Sequence, residues 1–372
     1  MSGARWTRDL GAAFNHGKGE RDPRDRAGAV LPLEPVQEEG ALQRSPAAVT
    51  DGDAMLNQSL IATAGELRTF TKDTLVRGEP TRIECVDILG QTYTITRGPL
   101  TTISLEDDWF EDVAEPEAVI AALKDSTGLK PDIFTFWQRL PHIEPKYSFH
   151  TEWEELAVLP VLSHDHWWNQ QIKSRVRNQI RKAEKGGLVV KETVFDEPFV
   201  RGMTAIFNES PVRQGRKFWH YGKDFQTVRT QFSRFVHREY MIGAYYKDEL
   251  IGFMMMGNAG RFGVTGQIIS AIKHRDKHTN NALIGKAVQL CAEKGLPHLS
   301  YIYWSDDSLA EFKRRCGFER TRVPRYFVPI TIKGQLAIKL GLHRGWKALL
   351  PVQLKTMLKR LRSAWHGHAG GD

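Results

Sequence analysis

The sequence predicts an α/β protein, a mixed β-sheet flanked by helices, and three stretches carry that prediction. Residues 240–318 read in order as a strand hairpin (YMIGAYYKDELIGFMMM), a further strand (GRFGVTGQIISAI), a charged turn, an amphipathic helix, a buried strand and a short helix closed by Gly317. Residues 82–160 show a looser alternation of strand-like and helical runs. Between them, Trp168, Ile172, Val176, Ile180 and Ala183 recur at the spacing of one helical face.

In the first region, TRIECVDILG and QTYTITRG alternate like a hairpin with Gly90 in the connection. PEAVIAALKDSTG is a short helix with Pro116 near its start and Gly128 at its end, and DIFTFWQRL and ELAVLPVL are strand-like. Asp165 is placed to cap a helix over 165–185, ended by Gly186-Gly187 and followed by the strand LVVKETV. EPFVRGMTAIFNES and DFQTVRTQFSRFVHRE read as two more helices, separated by the polar and aromatic loop NESPVRQGRKFWHYGKD. PRYFVPIT is a closing strand, and the tail ends in an amphipathic helix after Pro351.

Length and composition set the outer bounds. A chain of 372 residues with 41% hydrophobic content buries a real core, as one large domain or two ordinary ones. It has no run of about 18 apolar residues to span a membrane, nor an N-terminal secretory pattern. Cys85, Cys291 and Cys316 lie too far apart for a disulfide framework or a zinc site, so a reduced, cytoplasmic protein without a metal is expected. Residues 1–54 lack a sustained apolar period and read as disordered, with Met55 an alternative start. The net charge of +8 gathers in 173–185 and in a basic tail over 333–372. Those clusters suit a polyanion such as tRNA, or an anionic membrane surface under the tail helix; a solvated helix face is the plain alternative.

The turn that enters the helix at Asn280 draws most attention, because the free N–H groups of a helix start facing a strand end cradle a phosphate-bearing ligand. Three features now converge on a resemblance. The segment 240–318 resembles the acyl-CoA-binding half of the GNAT N-acyltransferase superfamily. RNQIRKAEKGGLVV (177–190) is similar to the basic helix of its FemAB-like branch, which includes peptidoglycan-bridge aminoacyl transferases, and SLAEFKRRCGF (308–318) to that branch's Phe-Lys-x-x-x-Gly signature. The resemblance implies a GNAT-like domain over 165–331 preceded by a partial GNAT-like half-domain over 82–160. It implies an N-acyltransferase that moves an acyl group from acyl-CoA to an amine on a sugar, amino acid or cell-envelope precursor. Aminoacyl-tRNA is the alternative donor.

Where many GNAT enzymes carry Arg/Gln-x-x-Gly-x-Gly/Ala for the pyrophosphate, this chain has Arg275, Lys277, His278, Asn280 and Asn281, with His278 and Asn280 in place of the glycines. A strand splay after Ile269 would free backbone groups of Ile268 and Ile269 for the pantetheine arm. The tyrosine that many members use as general acid falls at Lys313, which becomes a catalytic candidate. Direct attack by an amine needs a base, and Glu209 and His220 are the candidates, each with a structural alternative in capping or satisfying its loop. Arg213, Gln214, Arg216, Tyr221 and Lys223 of the same loop suit an anionic acceptor. Two other classes stay open: a catalytically inactive GNAT-like binding module, motivated by the replaced glycines, and a nucleic-acid-binding protein, motivated by the basic clusters.

Overall fold

Apolar alternation in residues 79–96 folds as the expected hairpin of β2 (Glu79–Ile88) and β3 (Gln91–Thr96). Its two turn residues, Leu89 and Gly90, both take positive φ, 49° and 76°, the geometry that follows the natural twist of paired strands. The computed structural model describes residues 66–76, 79–213, 216–234, 236–305 and 308–344. The 1–54 segment and the helix expected after Pro351 lie outside them.

Before this hairpin runs β1 (Thr69–Val76), which the sequence reading did not include. After it come β4 (Thr102–Leu105), α1 (Pro116–Asp125), β5 (Ile133–Trp137) and β6 (His150–Pro160). The chain continues through α2 (Ser174–Lys185), β7 (Leu188–Thr193), α3 (Glu197–Phe207), the two-residue strands β8 (Val212–Arg213) and β9 (Arg216–Lys217), and α4 (Phe225–Phe232). It ends with β10 (Glu239–Tyr246), β11 (Glu249–Asn258), β12 (Gly263–Ser270), α5 (Thr279–Glu293), β13 (His298–Tyr303), α6 (Ser308–Arg315), β14 (Glu319–Pro329) and α7 (Ile332–Lys339). Twelve strands share one mixed sheet in the order β1-β2-β3-β4-β5-β14-β6-β13-β12-β11-β10-β7, parallel at β4/β5 and β12/β13 and antiparallel elsewhere.

β14 lies between β5 and β6, so the last strand among the described residues is built into the centre of the sheet. An ion cluster fixes it there. Arg325 donates from Nε to Glu154 (2.7 Å) and from Nη2 to Asp108 (3.1 Å), with both Arg325 and Asp108 buried. α2 and α5 cover one face of the second half of the sheet, while α3 and α4 cover the other, where Phe199 and Phe207 meet Phe253 of β11.

The helix expected as one piece over 165–185 is broken. Ser163, not Asp165, caps its first turn, accepting from the N–H of His166 at 3.0 Å. A π-helical turn over Trp167–Gln171 follows, and Ile172 is extended (φ −85°, ψ 149°) before α2 begins. Two contacts impose the break. The buried indole of Trp167 donates to the carbonyl of Cys316 (2.9 Å), and Arg177 ties the carbonyls of Trp168 and Ile172 at 2.9 and 3.0 Å. The helix read over DFQTVRTQFSRFVHRE also stops early, at Phe232, and its last residue, Glu239, opens β10.

Candidate functional site

β12 and β13 run parallel but pair only at Gly263–Leu299 and Val264–Ser300. Beyond that point the strands part. The expected splay after Ile269 is therefore corrected to a deeper fork, and irregularities on both limbs explain it. On β12, Gly266 is an extra residue between Thr265 and Gln267, which pair with Met256 and Met255 of β11; such a bulge bends its strand. On β13, the register with β6 shifts between Ser300 and Tyr303, and Ile302 takes φ +47°. A β-branched residue in the left-handed region is strained, which costs on the order of 1–3 kcal/mol and needs its surroundings to hold it.

Lys313 holds the β13 limb. It projects from α6, is 2% exposed, and donates from Nζ to the carbonyls of Tyr301 (3.1 Å) and Tyr303 (2.6 Å), the two neighbours of Ile302. Its ammonium also lies 4.4 Å from the Tyr301 ring centroid. Where the strands part, the hydroxyls of Thr265 and Ser300 are buried without a hydrogen-bond partner among the described residues. A buried polar atom without a partner costs about 1–3 kcal/mol.

The carboxyl end of β12 leads into a 3₁₀ turn, Ile272–Lys277, and then into α5. His278 takes φ 54°, ψ 30°, so this imidazole-bearing residue adopts the left-handed conformation for which glycine is the usual choice. Arg275 is exposed, and Lys277 lies 4.4 Å from the ring centroid of Tyr246 with Asp276 at 3.5 Å. Thr279 Oγ1 and Asn280 Oδ1 are buried without partners among the described residues. Asn281 turns inward instead: its amide donates to Gln179 of α2 (2.9 Å), and Cys316 Sγ lies 3.8 Å from its oxygen. Its side chain thus docks α2 and α6 on α5. Ile268 and Ile269 are paired with Met254 and Phe253 of β11.

On the opposite face, the loop between α3 and α4 is anchored to the same strands. The Glu209 carboxylate accepts from the backbone N–H groups of Ile272 and Lys273 (2.8 Å for the latter) and from Arg213 (3.2 Å). Arg213 donates to the carbonyls of Ser270 (2.8 Å) and Ile206 (2.7 Å), and burial lowers its pKa. Both residues clamp the loop onto the end of β12. His220 is 1% exposed, stacks on Phe207 at 4.2 Å, and meets the Gln267 amide nitrogen at 2.9 Å. With that amide as donor, Nε2 accepts, and Nδ1 has no partner among the described residues. Burial, aided by Lys223 and Arg213, pushes His220 down to about 2, so it stays neutral at physiological pH. Glu209 is occupied by three donors, and His220 binds protons weakly.

Lys223 donates to Gln231 (2.8 Å) and lies over Trp219 at 4.2 Å, while Tyr221 is 45% exposed at the loop surface. Arg216 opens β9, and Gln214 lies outside the described residues. Of the basic residues near α2, Arg177 is consumed by Trp168 and Ile172, whereas Arg175, Arg181, Lys182 and Lys185 are exposed. Elsewhere, His150, Glu152 and His343 bring potential metal-ligating atoms within 4.8 Å of one another. There burial raises the Glu152 carboxyl, but its hydrogen bonds to His343 and to Arg344 Nε (2.6 Å) outweigh that and bring it down to about 2.

From β10 onward, three antiparallel strands, a crossover helix, a parallel strand that splays from the third, a short helix and a closing strand paired with β6 and β5 give the mixed α/β architecture that the sequence predicts. No family model matches the sequence, and no curated protein matches it. Among solved structures the chain is similar to FemX, at 11% identity over 73% of this chain and 90% of that one, with a TM-score of 0.49. It is also similar to the C-terminal domain of a putative lysylphosphatidylglycerol synthetase from Agrobacterium fabrum (10% identity, 68% and 86% coverage, TM-score 0.44). A third is a tandem GNAT protein from the clavulanic acid biosynthesis pathway (11% identity, 72% and 85% coverage, TM-score 0.37). At such identities the likeness concerns the fold.

Proposed function

We propose that this protein is an N-acyltransferase that binds an acyl-CoA across the β12–β13 fork and passes the acyl group to an amine presented from the α3–α4 face. The single observation that carries the reading is the fork itself, opened by bulges on both limbs and held by a buried ammonium. In a parallel β-α-β unit a ligand enters at the carboxyl ends of the strands, where the crossover helix begins. The start of α5 lies at that end of β12. The N–H groups of Thr279 and Asn280, with Arg275 and Lys277 beside them, suit a pyrophosphate, while that of Asn281 donates to the His278 carbonyl at 3.1 Å. Between the limbs, the unpartnered hydroxyls of Thr265 and Ser300 suit the amides of a pantetheine arm. Lys313 would face the oxyanion that forms when the amine attacks the thioester carbonyl.

A second reading keeps the same site with an aminoacyl-tRNA donor. It is favoured by one observation: the exposed Arg175, Arg181, Lys182 and Lys185 lie on or beside α2, the helix that Gln179 joins to Asn281 at the start of α5, so a basic surface extends from the phosphate cradle. The acceptor, on either reading, is an amine of a sugar, amino acid or cell-envelope precursor.

Arg275 separates donor binding from chemistry. Arg275→Ala is expected to weaken acyl-CoA binding about 10-fold, the worth of one charge-assisted contact to phosphate, while the maximal rate changes little. Calorimetric titration with acetyl-CoA and rate measurements at saturating donor check this. Unaltered affinity would remove Arg275 from the cradle.

A further inference from the structure

Glu239 is the first residue of β10, opposite Gly257 of β11. Its side chain reaches across to β12, where Oε1 lies 3.2 Å from the place a Cβ on Gly266 would occupy. Gly266 is the bulged residue of the fork, and the next residue, Gln267, holds His220 and with it the α3–α4 loop. The Glu239 carboxyl therefore lies over the bulge, on the face from which the amine is expected. Glycine at 266 lets this carboxyl and the Met255 carbonyl, 3.3 Å from the same point, come close to the bulged backbone. At Gly257 an added Cβ would meet Phe110 and Val264, so the wall beside the carboxyl is apolar. Among the described residues it has neither a hydrogen bond nor an ion pair.

The charged groups nearby are engaged with one another. Arg234 binds Glu106 (2.7 Å) and Asp107 (3.4 Å), and Arg238 binds Asp107 (3.9 Å) and Glu111. From β11, Asn258 donates to Tyr240 at 3.2 Å; from the α3–α4 loop, His220 is neutral. No neighbouring charge offsets the loss of water around Glu239, and burial alone raises its pKa from 4.5 to about 8. Glu239 is half-buried, so the residue as a whole keeps some contact with solvent.

We propose that Glu239 is the catalytic proton acceptor of the fork, taking a proton from the ammonium of a primary-amine acceptor bound over Gly266. This rests on the acyl-transfer reading above. The proton passes from the R–NH₃⁺ group to the carboxylate, leaving R–NH₂. The amine nitrogen bonds to the thioester carbonyl carbon. As the C–S bond breaks, the attacking nitrogen loses one further proton, which goes to the departing sulfur. The products are the amide and the free thiol of coenzyme A, with one proton on Glu239 to be released to water. Once ionised, towards pH 8, the uncompensated carboxylate favours a cationic, primary-amine acceptor.

Glu239→Gln keeps the shape and removes the titration, and two readouts separate the claims. Between pH 4.5 and about 8 the native protein holds a proton that the unfolded chain has released, so Glu239 makes stability fall as pH rises through that window. Melting curves of the full chain from about pH 6 to about pH 9 should therefore fall more steeply for wild type than for Glu239→Gln. In thiol-release assays with acetyl-CoA, longer acyl-CoAs and a panel of primary amines, the variant should lose about 10²–10⁴-fold in kcat/KM, together with the rise towards pH 8. Equal melting slopes, or a pH limb that persists in the variant, overturn the assignment. Absence of thiol release by wild type with every acyl-CoA overturns the transfer reading and Glu239's role in it. That failure is told apart by melting slopes that still differ.

Discussion

Replacing Lys313 by methionine is expected to lower the transfer rate about 10²–10³-fold, the usual loss when one group facing a developing oxyanion is removed. Methionine keeps most of the side chain's length and volume, so the effect isolates the ammonium. The lysine that the sequence places in the Phe-Lys-x-x-x-Gly run is directed by α6 onto β13, where its Nζ spans the carbonyls on either side of the strained Ile302. On the proposed reading donor binding rests instead on the α5 start, so acyl-CoA affinity should stay within about 3-fold of wild type, a difference below 1 kcal/mol. Removal of the ammonium also orphans two carbonyls, at a stability cost of about 1–3 kcal/mol for each that stays dry. Circular dichroism and denaturant titration establish that the variant is folded before its rate is read. Equal rates in folded Lys313→Met and wild type would reduce Lys313 to a structural brace.

The second large effect concerns the fold. Arg325→Leu is expected to destabilise the protein by about 3–5 kcal/mol, because it leaves Asp108 and Glu154 as uncompensated carboxylates in or near the core. Its pH dependence follows from Asp108, whose pKa burial raises to about 6 even against the pull of Arg325. Without the guanidinium that value rises further, so the variant keeps a neutral carboxyl to higher pH. The gap between wild type and Arg325→Leu should therefore be smaller at pH 5 than at pH 8. Asp108→Asn in the Arg325→Leu background should recover part of the loss at pH 8. Urea titrations at the two pH values measure this, and a pH-independent gap would show that lost packing, not charge, sets the cost.

Local signals made much of this structure legible. The β2–β3 hairpin is in place because alternation and the Leu89-Gly90 turn agree, and β10 to β13 follow their apolar runs. What local pattern could not show was the work of distant partners. The helical stripe through Trp168 and Ile172 breaks because Cys316 and Arg177 bind its polar groups, and neither contact has a periodicity. Glu239 reads as the end of a helix, yet it is the lone acid at the head of an apolar strand (EYMIGAYY), a signal that goes with burial. Glu209 and His220 were marked by residue type, but a carboxylate with three donors and an imidazole pressed against Phe207 cannot be told from free ones by sequence. His278 shows the reverse: the helix start kept its left-handed backbone although glycine is replaced. The fork's depth depends on bulges at Gly266 and Ile302, which only strand register reveals.

The most direct test of the account is calorimetric titration of the full chain with acetyl-CoA and longer acyl-CoAs, repeated with Arg275→Ala and with an uncharged tRNA pool as competitor. The account predicts saturable, one-to-one acyl-CoA binding that Arg275→Ala weakens and tRNA does not displace. Silence with every acyl-CoA, with or without binding of tRNA, would contradict it.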